Sequence, residues 1–298
     1  MSPEEMAARV WPGRPVELEA LGGGITNRNF KVVVDGETLV LRVGGKDTEL
    51  LGIDRLNEYH ASLAAAEAGV GPEVVDFVEP EGWLVTRFVE GKPVPASALA
   101  RVAESLRRFH EGRPIPGRFD SFRVVEAYAT TAGARGVPVP AAYERAAALA
   151  REIERLRGSP PPRPCHNDLL NANLIDDGER IRIVDWEYAG MGDVFFDLAN
   201  FSINHELDEE GDRALLAAYS GELREADFAA LSLMRFMSDF REAMWGVVQQ
   251  GISELDFDFV QYAEEHFERL ERTAAAARFR AALEPSTLLK GSDPDTRV

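Results

Sequence analysis

The sequence predicts an α+β chain of two lobes: a small strand-rich lobe over residues 1–90 and a larger, mainly helical lobe over residues 91–298. Three observations carry this. Short runs rich in β-branched residues crowd the first 90 positions, and long runs of helical periodicity fill the remainder. Between them "EGKPVP", Glu90 to Pro95, breaks both patterns with Gly and Pro. A chain of 298 residues has room for two such units, at roughly 150 residues each.

The elements follow in order. "NFKVVV" and "ETLVLRV" flank Asp35-Gly36, a strong hairpin turn signal. Before them "LGGGITNRNF" holds three consecutive glycines at a strand-to-strand turn. "DRLNEYHASLAAAEAG" reads as a helix capped by Asp54 and stopped by Gly69. "EVVDFV" and "GWLVTRFV" are two further strands. Beyond the break, "SALARVAESLRRFHEG" and "PAAYERAAALAREIERLRG" have helical periodicity. "NLID" and "RIRIVDW" form a second hairpin turning at Asp177-Gly178. Helical runs follow in "VFFDLANFSINHEL", "DRALLAAYS", "FAALSLMRFMSDFREAMWGVVQQG" and "DFVQYAEEHFERLERTAAAARFRAAL". From Glu284 the tail is polar and expected to fray.

Composition excludes several classes of function. Hydrophobic residues make up 45% of the chain, enough for a sizeable core. A net charge of -18 argues against a nucleic-acid partner, because phosphate backbones are bound by Lys and Arg. A single cysteine, Cys165, excludes an intrachain disulfide and a multi-cysteine metal site. No apolar run is long enough to span a membrane, and "MSPEEMAARV" has no secretion-signal pattern, so a cytoplasmic location is expected. The sequence leaves a homodimer open.

Some motif matches fail on inspection. "VGGKDT" lacks the first Gly and the final Ser or Thr of a phosphate-binding P-loop, having Val40 and Asp47 there. "HELDE" has Glu209 where a zinc motif needs a second His. No G-x-S-x-G elbow is present, and no G-x-G-x-x-G follows a first strand.

"CHNDLLNANLIDDGERIRIVDWEYAG", Cys165 to Gly190, holds together better. Asp168 and Asn173 precede the second hairpin, and Asp185 ends it. A tight hairpin joins its own ends, so Asp168, Asn173 and Asp185 are expected to converge. Two carboxylates that close repel unless a cation lies between them. Asp and Asn oxygens are hard ligands suited to Mg²⁺, which takes few protein ligands plus phosphate oxygens. Kinases use this set for phosphoryl transfer: one Asp accepts the hydroxyl proton, while an Asn and a second Asp hold Mg²⁺ on the nucleotide. His166 reads as a hydrogen-bonded scaffold residue and Cys165 as a small core residue.

"CHNDLLNANLI" followed by "VDWEYAGMGDVFFDLANF" resembles the choline/ethanolamine kinases, within the larger aminoglycoside-phosphotransferase-like group. The resemblance covers nearly the whole chain and implies a bilobal, protein-kinase-like fold. It makes Asp168 the catalytic base, with Asn173 and Asp185 on Mg²⁺. "LGGGITNRNFKV" is similar to the family's nucleotide loop, so Gly22, Gly23, Gly24, Thr26 and Asn27 would lie over the ATP phosphates. Arg42 would contact phosphate and pair with Glu58, with Lys31 and Lys46 as weaker candidates. "RFVEGKPV" resembles the interlobe hinge, so Phe88, Val89 and Glu90 would bind adenine through backbone groups.

The acceptor implied is a small cationic amino alcohol, choline first. A quaternary ammonium is best held by aromatic faces with a carboxylate nearby. The family's cage positions correspond to Glu187, Tyr188, Trp245 and Tyr262. One position departs from the pattern: Glu242 stands where the family has a second aromatic, which leaves room for ethanolamine or another amine-bearing alcohol. Aminoglycoside kinases share the machinery and differ in the acceptor pocket. A non-catalytic nucleotide-binding module is the rival of a different class, and the presence of Asp168, Asn173 and Asp185 tells against it.

Overall fold

The computed structural model describes residues 1–22 and 27–284. Its first part is an antiparallel five-stranded sheet: β1 (Val16–Leu21), β2 (Asn27–Val34), β3 (Glu37–Gly44), β4 (Val74–Val78) and β5 (Trp83–Arg87), in the order β1-β2-β3-β5-β4. The β2–β3 hairpin turns at Asp35 and Gly36, both with positive φ (49° and 82°). Such a turn matches the right-handed twist of the strands it joins. One face of the sheet buries Phe30, Val32, Leu39, Leu41 and Val85 with Met6 and Trp11. Met6 belongs to α1 (Pro3–Val10), a helix that the sequence reading left unassigned. Its signal was present, since Ser2 and Glu5 cap each other's backbone reciprocally.

Helix α2 (Arg55–Glu67) starts at Asp54, whose side chain accepts the Asn57 N–H at 2.9 Å. Its alanine face, Ala61, Ala64 and Ala65, packs with the larger apolar cluster, not with the sheet's own. Asn57 also reaches across, donating from Nδ2 to the Ala189 carbonyl at 2.7 Å. Helix α2 therefore fixes how the sheet sits over the helical part.

That part holds α3 (Leu99–His110), α4 (Ser121–Ala134), α5 (Ala142–Arg157), α6 (Val194–Asn204), α7 (Glu209–Ser220), α8 (Glu225–Ile252), α9 (Phe259–Ala275) and α10 (Ala277–Ala282). Helix α4 is a second element absent from the sequence reading; Val124, Val125, Thr130, Thr131 and Gly133 weaken its helical signal. The expected final helix is broken in two at Ala276, whose ψ of 142° is extended. All but Glu284 of the tail expected to fray lies outside the described residues. Among the described residues no helix is long and apolar enough to cross a membrane.

Short strands set the active-site segments. β6 (Lys92–Pro93), β8 (Leu174–Asp176) and β9 (Ile181–Ile183) form one small sheet, and β7 (Arg163–Cys165) pairs with β10 (Gly190–Gly192). A Cβ on Gly91 would collide with Ile175, so the crossing segment lies close against β8.

The β8–β9 turn is held by Asp177. Its carboxylate accepts the N–H groups of Glu179 (2.9 Å) and Arg180 (2.8 Å) and the Arg182 Nε–H (2.7 Å). Burial alone would raise this carboxyl, but those donors together bring it down to about 2. A folded-state value below the ordinary 3.8 means that the ionised form stabilises the fold above about pH 4, and that this contribution is lost as pH falls towards 2. Asp177→Ala is therefore expected to destabilise by roughly 1–2 kcal/mol at pH 7. The gap from wild type should close between pH 4 and 2 in urea melts; a gap independent of pH would refute the role.

Candidate active site

The segment after β7 is locked from beneath by buried polar groups on α6. Asp197 accepts the backbone N–H of Asn167 at 2.6 Å through Oδ1, and that of His166 at 2.7 Å through Oδ2. Oδ2 also takes the His110 Nε2–H at 2.9 Å, which leaves His110 Nδ1 to accept the Tyr219 hydroxyl at 2.8 Å. Asn200 Oδ1 accepts the Leu169 N–H, and Asn200 Nδ2 donates to Ser238 at 3.0 Å. His166 donates from Nε2 to the Val184 carbonyl at 2.9 Å and accepts the Asp168 N–H at Nδ1. Burial lowers its pKa and favours this neutral form. Asn167 has a φ of 67°, a left-handed conformation that this dense bonding imposes.

Asp168 and Asn173 are thereby brought side by side. Asn173 Nδ2 donates to the Asp168 carbonyl oxygen at 2.8 Å and lies 3.4 Å from Asp168 Oδ2. With Nδ2 so engaged, the Asn173 side chain keeps Oδ1 as an oxygen donor, and the residue lines the cleft described below. Asp185 also sits at a positive φ, 69°, and lines the same cleft as Asn173. Its Oδ1 is engaged by Arg42 Nη2, which leaves Oδ2 as a hard oxygen donor. Two oxygens of this kind on one wall fit the ligand set Mg²⁺ takes beside phosphate.

The cleft has a volume of about 220 Å³. Leu21, Gly22, Val40, Arg42, Leu84 and Phe88 line it from the sheet side, with Ile175, Val184 and Asp185 opposite. Val89 lines it too, whereas Glu90 lines an adjoining groove that shares Phe88 and Val89 with it. Gly23, Gly24 and Thr26 lie outside the described residues. Asn27 donates from Nδ2 to Glu187 Oε2 at 2.8 Å. Lys31 stacks over the Phe88 ring, and Lys46 pairs with Glu254 on the surface.

Arg42 is buried at a junction of carboxylates. Its Nε lies 2.6 Å from Glu58 Oε1, a close ion pair without hydrogen-bond alignment. Its Nη2 meets both Asp185 and Glu187, the latter at 3.1 Å. Arg55 adds contacts to Glu58 (2.7 Å) and Glu187 (3.1 Å). Burial would raise Asp185, but the Arg42 charge holds its carboxyl below the ordinary value. Asp168 behaves oppositely. Burial pushes it up to about 7; Arg241 opposes this, while Glu242 and Asp185 add to it.

Three of the residues expected to bind the acceptor form one group. Trp245 Nε1 donates to the Tyr188 hydroxyl at 3.1 Å, and the rings of Trp245 and Tyr262 meet edge-on at 5.4 Å. Phe259 packs on Trp245 and exposed Phe257 on Tyr262. Glu187 lines a cavity next to Tyr188, but its Oε2 is turned to Asn27, Arg42 and Arg55. Glu242 joins the group instead, accepting the Tyr262 hydroxyl at 2.8 Å.

The sequence reading missed Arg55, Asp197, Asn200 and Arg241. Arg241 donates from Nη1 to Asp168 Oδ1 at 3.0 Å and to Glu242. A signal existed: Arg241 and Glu242, like Arg235 and Asp239, stand in the largely apolar α8, where a charge must find a partner.

Comparison with known proteins shows the family. The phosphotransferase enzyme family matches residues 17–233. The chain is 26% identical over 246 residues to protein LicA of Haemophilus influenzae, covering 76% of this chain and 72% of that one. It is 25% identical over 292 residues to ethanolamine kinase 2 of Rattus norvegicus, covering 85% and 75%. The crystal structure of a choline/ethanolamine kinase family protein from Mesorhizobium loti superposes with a TM-score of 0.82 at 32% identity, covering 96% of this chain and 98% of that one. The fold is protein-kinase-like, and the chain belongs to the phosphotransferase enzyme family as a choline/ethanolamine kinase-like enzyme acting on an alcohol group.

Proposed function

We propose that the enzyme moves the γ-phosphoryl group of ATP to the primary hydroxyl of a small amino alcohol, with choline the leading acceptor. The observation that supports this most is that Asn173 bonds to Asp168 and lines one cleft with Asp185, in a chain that also gathers Tyr188, Trp245 and Tyr262 into one aromatic group. Names of the relatives point the same way, since they include an ethanolamine kinase and a choline/ethanolamine kinase family protein.

In this reading Asp168 accepts the proton of the acceptor hydroxyl. A carboxyl held near 7 can take and return a proton at neutral pH. Asn173 Oδ1 and Asp185 Oδ2 would hold Mg²⁺, which when bound neutralises charge on the nucleotide phosphates. Gly22 to Asn27 would cover the phosphates, where absent side chains let backbone N–H groups approach. Arg42 would steady this end of the cleft through Asp185 and Glu58. Phe88 and Val89, with Glu90 beside them, would border the adenine. Its need for ATP puts the enzyme in the cytoplasm.

The acceptor's ammonium would rest against Trp245 and Tyr262, each aromatic face contributing about 0.5–2 kcal/mol. Glu242 favours a second reading, ethanolamine. A carboxylate among the rings suits an ammonium that has N–H donors, which choline's does not.

ADP release with Mg-ATP across choline, ethanolamine, an aminoglycoside and a sugar tests the proposal. Turnover is expected with choline or ethanolamine, and turnover with the aminoglycoside alone would overturn the acceptor assignment. Asp168→Asn is expected to lower turnover roughly 10²- to 10⁴-fold with the fold intact. Asp197→Asn should do something different. It leaves an amide facing the N–H groups of His166 and Asn167, so unfolding free energy should drop by about 3 kcal/mol. The rate constant kcat should fall while ATP affinity holds; unchanged kcat and stability would remove Asp197 from the loop's support.

A further inference from the structure

A cavity of about 460 Å³ shares no lining residue with the cleft. Its walls come from α2 and the residues before it, from the stretch between Pro116 and Phe119, from α4, and from Glu187 to Ala189. These walls are tied to one another. Asn57 of α2 donates from Nδ2 to the Ala189 carbonyl at 2.7 Å and accepts the Gly117 N–H on Oδ1 at 2.6 Å. Met191 brackets the same stretch, donating its N–H to the Gly117 carbonyl at 2.8 Å and accepting the Phe119 N–H at 3.1 Å. The space is therefore shaped before any ligand enters.

The lining changes with depth. Phe119, Tyr128, Glu187 and Tyr188 are buried, whereas Arg118 is exposed and His60 half-buried at the mouth. Among the described residues, neither the Arg118 guanidinium nor the His60 ring nitrogens have a hydrogen bond or an ion pair. The acid at the mouth, Asp54, is held to α2, where it accepts the Asn57 N–H at 2.9 Å. Deep in the cavity, a carboxylate beside aromatic side chains suits an ammonium. At the mouth, a guanidinium and an imidazole with open donors suit the oxygens of a phosphate. A ligand with only a positive charge would meet Arg118, and one with only a negative charge would meet Glu187. A small molecule that carries both charges matches both ends.

We propose that this cavity binds a phosphorylated amino alcohol at a place separate from that of transfer, with its ammonium against Tyr128, Tyr188 and Glu187 and its phosphate on Arg118 and His60. Such a molecule is the product of the reaction proposed above, and the choice of ligand rests on that reading. No bond is made or broken in the cavity. Tyr188 links the two places, since its hydroxyl also accepts the Trp245 Nε1–H at 3.1 Å. Product held here touches Tyr188 of the aromatic group and Glu187 of the arginine junction, and leaves the cleft open.

Titration calorimetry with phosphocholine and phosphoethanolamine tests this, with choline or ethanolamine in excess to fill the acceptor's place. Wild type, Arg118→Ala, Arg118→Glu and His60→Ala are compared, with melting temperatures alongside. Arg118 is exposed, so its variants are expected to fold. Leu56, exposed at the mouth, gives a second test without a change of charge, since Leu56→Trp crowds the entrance. Binding by wild type is expected to survive the excess acceptor and to weaken roughly 10- to 100-fold in Arg118→Ala, further in Arg118→Glu. Turnover and the acceptor KM should stay within about twofold in the Arg118 and His60 variants. Displacement of the product by acceptor in wild type, or equal binding by the Arg118 variants, would put the product in the acceptor's place alone and overturn the assignment. Inorganic phosphate binding as tightly as phosphocholine would reduce the cavity to a plain anion site and overturn it too. Turnover without such binding sinks the cavity's role, whereas binding without turnover of any acceptor sinks the proposed reaction and leaves the cavity's ligand standing.

Discussion

Arg42 lets three carboxylates, two of them buried, occupy one place. Glu58 comes from α2, Asp185 and Glu187 from the segment after β9, and Arg42 itself from β3. Carboxylates gathered this closely away from water would otherwise take up protons or move apart. The guanidinium, with Arg55 behind it, makes their approach favourable, so the sheet, α2 and the Asp185 segment are registered to one another by charge. The same junction sets the chemistry. Asp185 stays ionised because Arg42 is beside it. Burial raises Asp168 to about 7 despite Arg241 beside it, a cation it shares with Glu242. Two acids in one site, held in opposite directions, suit separate tasks: one a permanent charge, the other a proton carrier.

Much of the fold was legible because its signals are local. The Asp35-Gly36 turn, the Asp54 cap and the Asp177-Gly178 turn each rest on residues adjacent in sequence. That Asn173 lies beside Asp168 and lines one cleft with Asp185 was legible for the same reason, since one short hairpin separates them. What stayed hidden depends on distant contacts. Asp197 supports the loop from 30 residues away along the chain, and Arg241 meets Asp168 across 73. Sequence spacing carries no trace of such pairs. The same limit explains Glu187, which the sequence reading grouped with Tyr188. Both line one cavity, and Glu187 Oε2 also reaches the arginine junction.

Helix α8 is where the core and the site become the same object. It is buried along nearly its whole length, and its Phe236, Met237, Phe240 and Met244 belong to the main apolar cluster. The same helix presents Arg241 to Asp168, Glu242 to Tyr262 and Trp245 to Tyr188. A core helix cannot shift to suit a new ligand without disturbing its packing, so the groups it presents are fixed in position before any ligand arrives. Each polar residue on it is costly unless partnered, so the charge at 242 and the charge at 241 stand or fall together. Replacing Glu242 by an aromatic would therefore remove a partner of Arg241 as well as add a wall to the cage. A change at 242 would therefore also alter the surroundings of Asp168, through Arg241.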